Sequence, residues 1–170
     1  MTMHVHIRDE TPRDVDIITE LTVAAFEALE VSDHTEQFVI RALREAGDLT
    51  VSLVAEHDGC TVGHIAFSPV TVSDGTPGWY ALGPVSVWPH MHHQGIGKAL
   101  IHEGLARLLA LGARGCCLVG HPEYYPRFGF LHTDRLVFPG VPAHVFFVLP
   151  FAGHVPEGTV SFHPAFGAKQ

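Results

Sequence analysis

The chain is short of basic residues, short of cysteine and without a long apolar run. Lys and Arg number 10 against 18 Asp and Glu, for a formal net charge of -8. A protein that holds a nucleic-acid backbone clusters Lys and Arg, so this balance argues against nucleic acid as a partner. Three cysteines, Cys60, Cys116 and Cys117, are an odd number without metal-ligand spacing. They read as reduced thiols in a cytoplasmic protein. Adjacent Cys116 and Cys117, if on a strand, point to opposite faces. No apolar stretch approaches a membrane span. His4, Arg8, Asp9 and Glu10 leave no apolar core for a signal peptide.

What is there suits one globular domain. Of 170 residues, 46% are apolar and 16% charged, enough for a sizeable core. Val5 and Ile7 alternate with His4, His6 and Arg8 as a first strand. Thr11 is placed to cap a helix, with Pro12 at its first position and Asp14 in its first turn. That helix carries Val15, Ile18, Leu21, Thr22, Ala25 and Phe26 on one face. A second helix fits Glu36–Ala46, with Gly47 as its stop. Residues 50–56 read as a strand, His57-Asp58-Gly59 as a hairpin turn, and residues 61–72 as the return strand. Trp79–Val87 is a further strand. Gly83 and Pro84 in its middle predict a bulge or a free edge, because proline cannot donate to a ladder. A long helix covers about 95–111, and residues 116–119 form a buried strand. Residues 122–127 read as a short helix or turn, 128–131 enter another strand, and 144–149 are a last one. The pattern predicts a mixed α/β (α+β) sheet in one domain over residues 1–150. Residues 151–170 form an irregular tail packed on it, with a short strand at about 158–162.

The chemistry concentrates where Leu82-Gly83-Pro84-Val85-Ser86-Val87-Trp88-Pro89 runs into His92-His93-Gln94-Gly95-Ile96-Gly97-Lys98-Ala99-Leu100. A strand enters a glycine-bearing turn that opens a helix. Free backbone N–H groups gather there, and the helix dipole favours an anion, most simply a phosphate. Gly95 and Gly97 keep Cβ atoms out of the way. This is not the P-loop of nucleoside triphosphatases, for no Lys-Ser/Thr pair follows. It is not the Rossmann fingerprint either, for Leu100 stands where a third glycine belongs.

The turn His92-His93-Gln94-Gly95-Ile96-Gly97 resembles the acetyl-CoA signature of the GNAT superfamily of N-acetyltransferases, Arg/Gln-x-x-Gly-x-Gly/Ala. Tyr124-Tyr125-Pro126-Arg127-Phe128-Gly129-Phe130 is similar to the Tyr-x-x-x-Gly-Phe element that follows in that family. The element order matches from His4 to about Pro150. Several motifs in order carry more than one glycine turn can. The resemblance implies a mostly antiparallel mixed sheet flanked by helices. Its fourth and fifth strands, here Trp79–Val87 and residues 116–119, splay apart around acetyl-CoA as co-substrate. Val85, Ser86 and Val87 would meet the pantetheine arm. Amides of about Gln94, Gly95, Ile96, Gly97, Lys98 and Ala99 would hold the pyrophosphate, with His92 and His93 leading in. His92 stands where the family usually has Arg or Gln, so a protonated His92 is expected to assist the phosphates at low pH.

The same resemblance implies acetyl transfer to a primary amine by direct attack in a ternary complex. Tyr125 falls on the family's tyrosine and would protonate the leaving thiolate, with neighbouring Tyr124 as the alternative. A backbone N–H near Val85 would polarise the thioester carbonyl. His121 and Glu123, just after the fifth strand, and His64 on the third are the candidates for the base that strips the amine. His90, His92 and His93 lack a partner to complete a metal site, so no metal is expected. The acceptor is a small-molecule or peptide amine, and the apolar run at 145–148 is a strand able to pair across a homodimer. Two rival readings stand beside the enzyme. One is a degenerate module that binds an acyl-CoA and regulates a partner; the other is an acyltransferase for a longer acyl chain.

Overall fold

Chain order in the computed structural model, which describes residues 3–151 and 153–170, is β1 (His6–Asp9), α1 (Val15–Glu27), α2 (Glu36–Ala46), β2 (Val51–His57), β3 (Cys60–Pro69), β4 (Thr71–Val72), β5 (Trp79–Val87), α3 (Ile96–Ala110), β6 (Gly115–Val119), β7 (Leu136–Val137), β8 (Phe146–Pro150) and β9 (Gly158–Ser161). Local chemistry sets the boundaries. The Asp14 carboxylate accepts the Thr11 N–H at 2.6 Å and the Thr11 hydroxyl at 3.1 Å. A 3-10 turn over Pro12–Asp14 then leads into α1. Gly47 turns left-handed at φ 75° and closes α2, with its N–H on the Arg44 carbonyl and that of Asp48 on Leu43. Asp58 and Gly59, both at positive φ, make the tight link between β2 and β3.

The main sheet has the order β1-β2-β3-β5-β6-β8. Every pairing is antiparallel except β5 with β6. Side chains alternate between two layers. Leu53, Ile65 and Phe67 face α3, where they meet Ile96, Leu100, Ile101 and Leu105. Val54 faces the other way, against Ile18 of α1 and Ile40 of α2. Cys116 and Cys117 do point to opposite faces, one into each of two apolar clusters. Among the described residues no helix is long and apolar enough to cross a membrane.

Two expectations from the sequence need correction. The return strand over 61–72 is two strands. β3 ends at Pro69, which interrupts regular laddering, and β4 joins a separate three-stranded sheet of order β4-β9-β7. The strand expected at 128–131 is not one. Phe128 closes a 3-10 turn, Gly129 is left-handed at φ 94°, and only Leu131 bridges to Val148 of β8. That bridge partly covers β8, the edge strand expected to pair across a dimer. The short strand in the tail is β9, and it lies at the centre of the second sheet.

The placement of the site follows from β5. Opposite β3, the single residue between Ile65 and Phe67 faces the two between Val85 and Leu82, so β5 bulges at Gly83 and Pro84. Opposite β6, pairing holds only at Trp79, Tyr80 and Ala81. Beyond Ala81 the two strands part, and the outer edge of β5 faces an open gap.

Candidate active site

β5 ends in a 3-10 turn over Pro89–Met91 and a loop in which His93 (φ 65°) and Gly95 (φ 83°) are both left-handed. The His92 ring donates from Nε2 to the Val87 carbonyl at 3.0 Å and ties the loop to the strand end. Gly95 caps α3 without any side-chain acceptor. The first α3 bond runs from the Ala99 N–H to the Gly95 carbonyl. Among the described residues, the six N–H groups from His93 to Lys98 find no protein acceptor. Six acceptor-free amides and a helix dipole share this loop and helix start, an arrangement suited to a multiply charged anion.

The loop lies at one end of a cleft of about 500 Å³. Val85 and Val87 form its floor, and His92, His93, Gly95, Ile96, Gly97 and Lys98 line the end beside α3. Ala25, Phe26 and Leu29 of α1 and the segment after it form an apolar wall on the other side of the sheet. Tyr124 and Arg127 close it from the β6 side. The Arg127 guanidinium lies 4.6 Å over the Tyr124 ring and donates from Nε to the Tyr124 carbonyl at 2.9 Å. No carboxylate is among the lining residues, whereas Lys98 and Arg127 both are. The cleft thus reaches through the splay, with a cationic end beside α3 and an apolar end beside α1.

Residues 15–130 match the Acetyltransferase (GNAT) family. The chain belongs to the GNAT acetyltransferase family. It is 37% identical over 139 residues to the uncharacterized N-acetyltransferase YhbS of Escherichia coli K12, covering 79% of this chain and 80% of that protein. A crystal structure of a GNAT family acetyltransferase from Brucella melitensis in complex with acetyl-CoA is 47% identical. It superposes with a TM-score of 0.86 and covers 96% of this chain and 98% of that one. The crystal structure of Escherichia coli YhbS in complex with CoA superposes equally well, at 0.86, with 32% identity and coverage of 98% and 94%. The fold is the single α/β GNAT fold, and the protein is an N-acetyltransferase of that family.

Within this GNAT fold the expected site residues divide into groups. Val85, Val87, His92, His93, Gly95, Ile96, Gly97 and Lys98 all line the cleft. Gln94 and Ala99 belong to the same loop and helix start but do not line it. Gln94 instead accepts the Met3 N–H on its carbonyl at 2.8 Å. Ser86 points to the α1 side, 2% exposed, and its hydroxyl has no partner among the described residues. Tyr125 is buried among Phe128, Phe130 and Phe147, and burial pushes its phenol up to about 12. Tyr124 lines the cleft, half-buried, and burial raises its pKa as well. His121 and Glu123 sit on an exposed turn outside the cleft, where His121 Nδ1 accepts the Glu123 N–H at 3.2 Å. His64 is fully buried. Its Nε2 lies 2.8 Å from the Ser52 hydroxyl, and burial pushes the ring down to about 4.

The α1 wall was not visible from sequence as part of a site. Ala25 and Phe26 continue the apolar period of Ile18, Leu21 and Thr22, so they read as core. Their departure from it arises because β5 and β6 part beneath that end of α1.

Proposed function

We propose that this GNAT protein transfers the acetyl group of acetyl-CoA to a primary amine by direct attack in a ternary complex. The observation that carries the reading is the run of six acceptor-free amides beside an open strand edge. The amides suit a pyrophosphate. The unpaired edge of β5 beyond Ala81 offers peptide groups to an extended, amide-bearing arm. Lys98 and Arg127 supply positive charge to the cleft lining. Bound acetyl-CoA supplies an activated thioester. The chain's own part is to orient it along β5, to exclude water with the apolar wall of Ala25, Phe26 and Leu29, and to return a proton to the leaving sulfur.

Direct attack is supported by the state of the thiols. Cys116 and Cys117 are fully buried, and burial raises both far from the thiolate form. Cys60 is exposed on the β2–β3 hairpin, away from the lining of the cleft. For the proton on sulfur, the cleft favours Tyr124 and the motif position favours Tyr125. The exposed turn of His121 and Glu123 lies outside the cleft, so we assign the base to neither.

Calorimetric titration with acetyl-CoA tests the cofactor site. A Cβ on Gly97 would start 3.9 Å from both the Tyr124 hydroxyl and the Val87 side chain, so a Gly97→Trp ring fills the cleft. Expected are micromolar binding by the wild type, loss of it in Gly97→Trp, and thiol release on addition of a primary amine. Binding with no thiol release across a broad amine panel would favour the regulatory acyl-CoA module. Absence of binding would remove the acetyltransferase reading.

A further inference from the structure

Behind the cleft lies a buried polar chain that the roles above do not use. His64 on β3 faces Ser86 on β5 across the ladder, and paired residues of this kind have Cβ atoms about 4.5–5.5 Å apart. Both are inaccessible, at 0% and 2% exposure. His64 Nδ1 and the Ser86 hydroxyl have no partner among the described residues, which in a native interior calls for an explanation. From the other side of the ring the chain continues outward. His64 Nε2 is 2.8 Å from Ser52 Oγ, and Ser52 Oγ makes a short bond to Glu10 Oε1. Arg44 holds the Glu10 carboxylate through two bonds, 2.9 and 3.0 Å. The Glu10 side chain keeps 16% of its surface open to solvent.

The direction of these bonds fixes the tautomer. The Glu10 carboxylate only accepts, so the Ser52 hydroxyl donates to it. Ser52 Oγ must then accept from His64, which places the ring proton on Nε2. Nδ1 is left as a free lone pair without a partner among the described residues. A water between Nδ1 and Ser86 Oγ would satisfy both. Ser86 lies between Val85 and Val87, the floor of the cleft. The charged groups around the ring are Glu10, Arg44 and Asp14, and burial outweighs them all in keeping it neutral.

We propose that this chain is a proton relay, which carries a proton from the incoming ammonium through His64 and Ser52 to the solvent-open Glu10 carboxylate. The idea rests on the amine-acylation reading above. One ammonium N–H bond breaks, and its proton passes through the bridging water to His64 Nδ1. The Nε2 proton moves to Ser52 Oγ, and the Ser52 hydroxyl proton moves to Glu10, where one new O–H bond forms. Each intermediate group gains one proton as it gives one. The ring therefore need not accumulate as an imidazolium. After product leaves, the reverse exchange hands the proton to water in the open cleft and restores the first tautomer. His64 touches no substrate; it is a positioning and relay residue.

The test uses the full chain, thiol-release kinetics and two acceptors of one shape. These are the best amine of a primary-amine panel and its β,β,β-trifluoro analogue, which is weakly basic and largely neutral at pH 7.5. His64→Gln keeps a donor toward Ser52 but has no basic lone pair. It is expected to bind acetyl-CoA as the wild type does, and to lose about 100-fold in turnover with the strong base. With the fluorinated amine it should lose less than about threefold, because no proton need be stripped before attack. Ser86→Ala, which breaks no protein hydrogen bond, should show the same split at about tenfold. Nitrogen NMR of the free protein should find the His64 proton on Nε2. Equal losses with both amines, no loss with either, or a proton on Nδ1 would overturn the relay. If the wild type acetylates no amine, the proposed function itself falls, and the relay with it.

Discussion

At the scale of single residues, two adjacent tyrosines hold different stations. Their rings meet edge to face at 5.1 Å, yet only Tyr124 reaches the cleft, and Tyr125 fills the space left by Gly120. A proton donor must approach the leaving atom before its pKa matters. Tyr124→Phe is therefore expected to lower kcat by about 100-fold or more at unchanged acetyl-CoA affinity. Tyr125→Phe should keep most of the activity, since its hydroxyl makes no hydrogen bond among the described residues. Steady-state thiol release on both variants decides, and a loss confined to Tyr125→Phe would return the acid to the motif position. The spacing of the motif could not separate the two. Glycines behave differently. Gly95 and Gly97 were legible, because a loop of free amides needs residues without a Cβ, and such residues stand out in any sequence. His64 was legible as a candidate base on the third strand; its partners Ser52 and Glu10 come from distant segments that only the sheet register brings together.

At the scale of elements, α3 packs tightly on β3 at one glycine. A Cβ on Gly104 would stand 2.2 Å from the ring of Phe67, which is fully buried. Gly104→Ala gains about 1 kcal/mol of helix propensity, but the overlap costs about 1–3 kcal/mol or more. Phe67 has no free volume to retreat into, so the cost wins. The urea midpoint should fall with the slope unchanged. A midpoint that rises would show that α3 can step back from β3. Any shift of α3 that eases the overlap would also move its N-terminus, so acetyl-CoA affinity should weaken in Gly104→Ala whichever way the midpoint moves. Most elements here were readable. Glu36–Ala46 carries a helical apolar period and a glycine stop, and Trp79–Val87 announces its bulge through Pro84. β4 and β7 were not, because two residues are too few to show a period of two. Their identity as strands comes wholly from β9, with which both pair.

At the scale of the whole molecule, the last twenty residues tie together parts that the main sheet does not. β9 lies between β4 and β7, with Thr71 opposite Ser161 and Leu136 opposite Gly158. Val160 joins the cluster around Trp79 and Val148. Phe162 stacks on Phe138 at a centroid distance of 4.4 Å. Beyond it, Ala165 packs against Val39 and Leu43 of α2, and His163 bonds Asp48 at 2.8 Å. The tail thus clamps the second sheet to α2, and α2 in turn packs against α1, whose end forms the apolar wall of the cleft. Removing residues 151–170 would expose several side chains worth about 1.5–3 kcal/mol each when buried, set against a total stability of about 5–15 kcal/mol. It would also leave β4 and β7 without a partner strand. A chain ending at Pro150 is therefore expected to lose cooperative melting and to bind a hydrophobic dye, although it keeps every residue of the amide-rich loop ahead of α3. Melting within a few degrees of the full chain would refute this. If the shortened chain instead melts cooperatively at a lower temperature and still binds acetyl-CoA, α3 and the splayed strands form the cofactor half unaided, and the clamp serves the acceptor half alone.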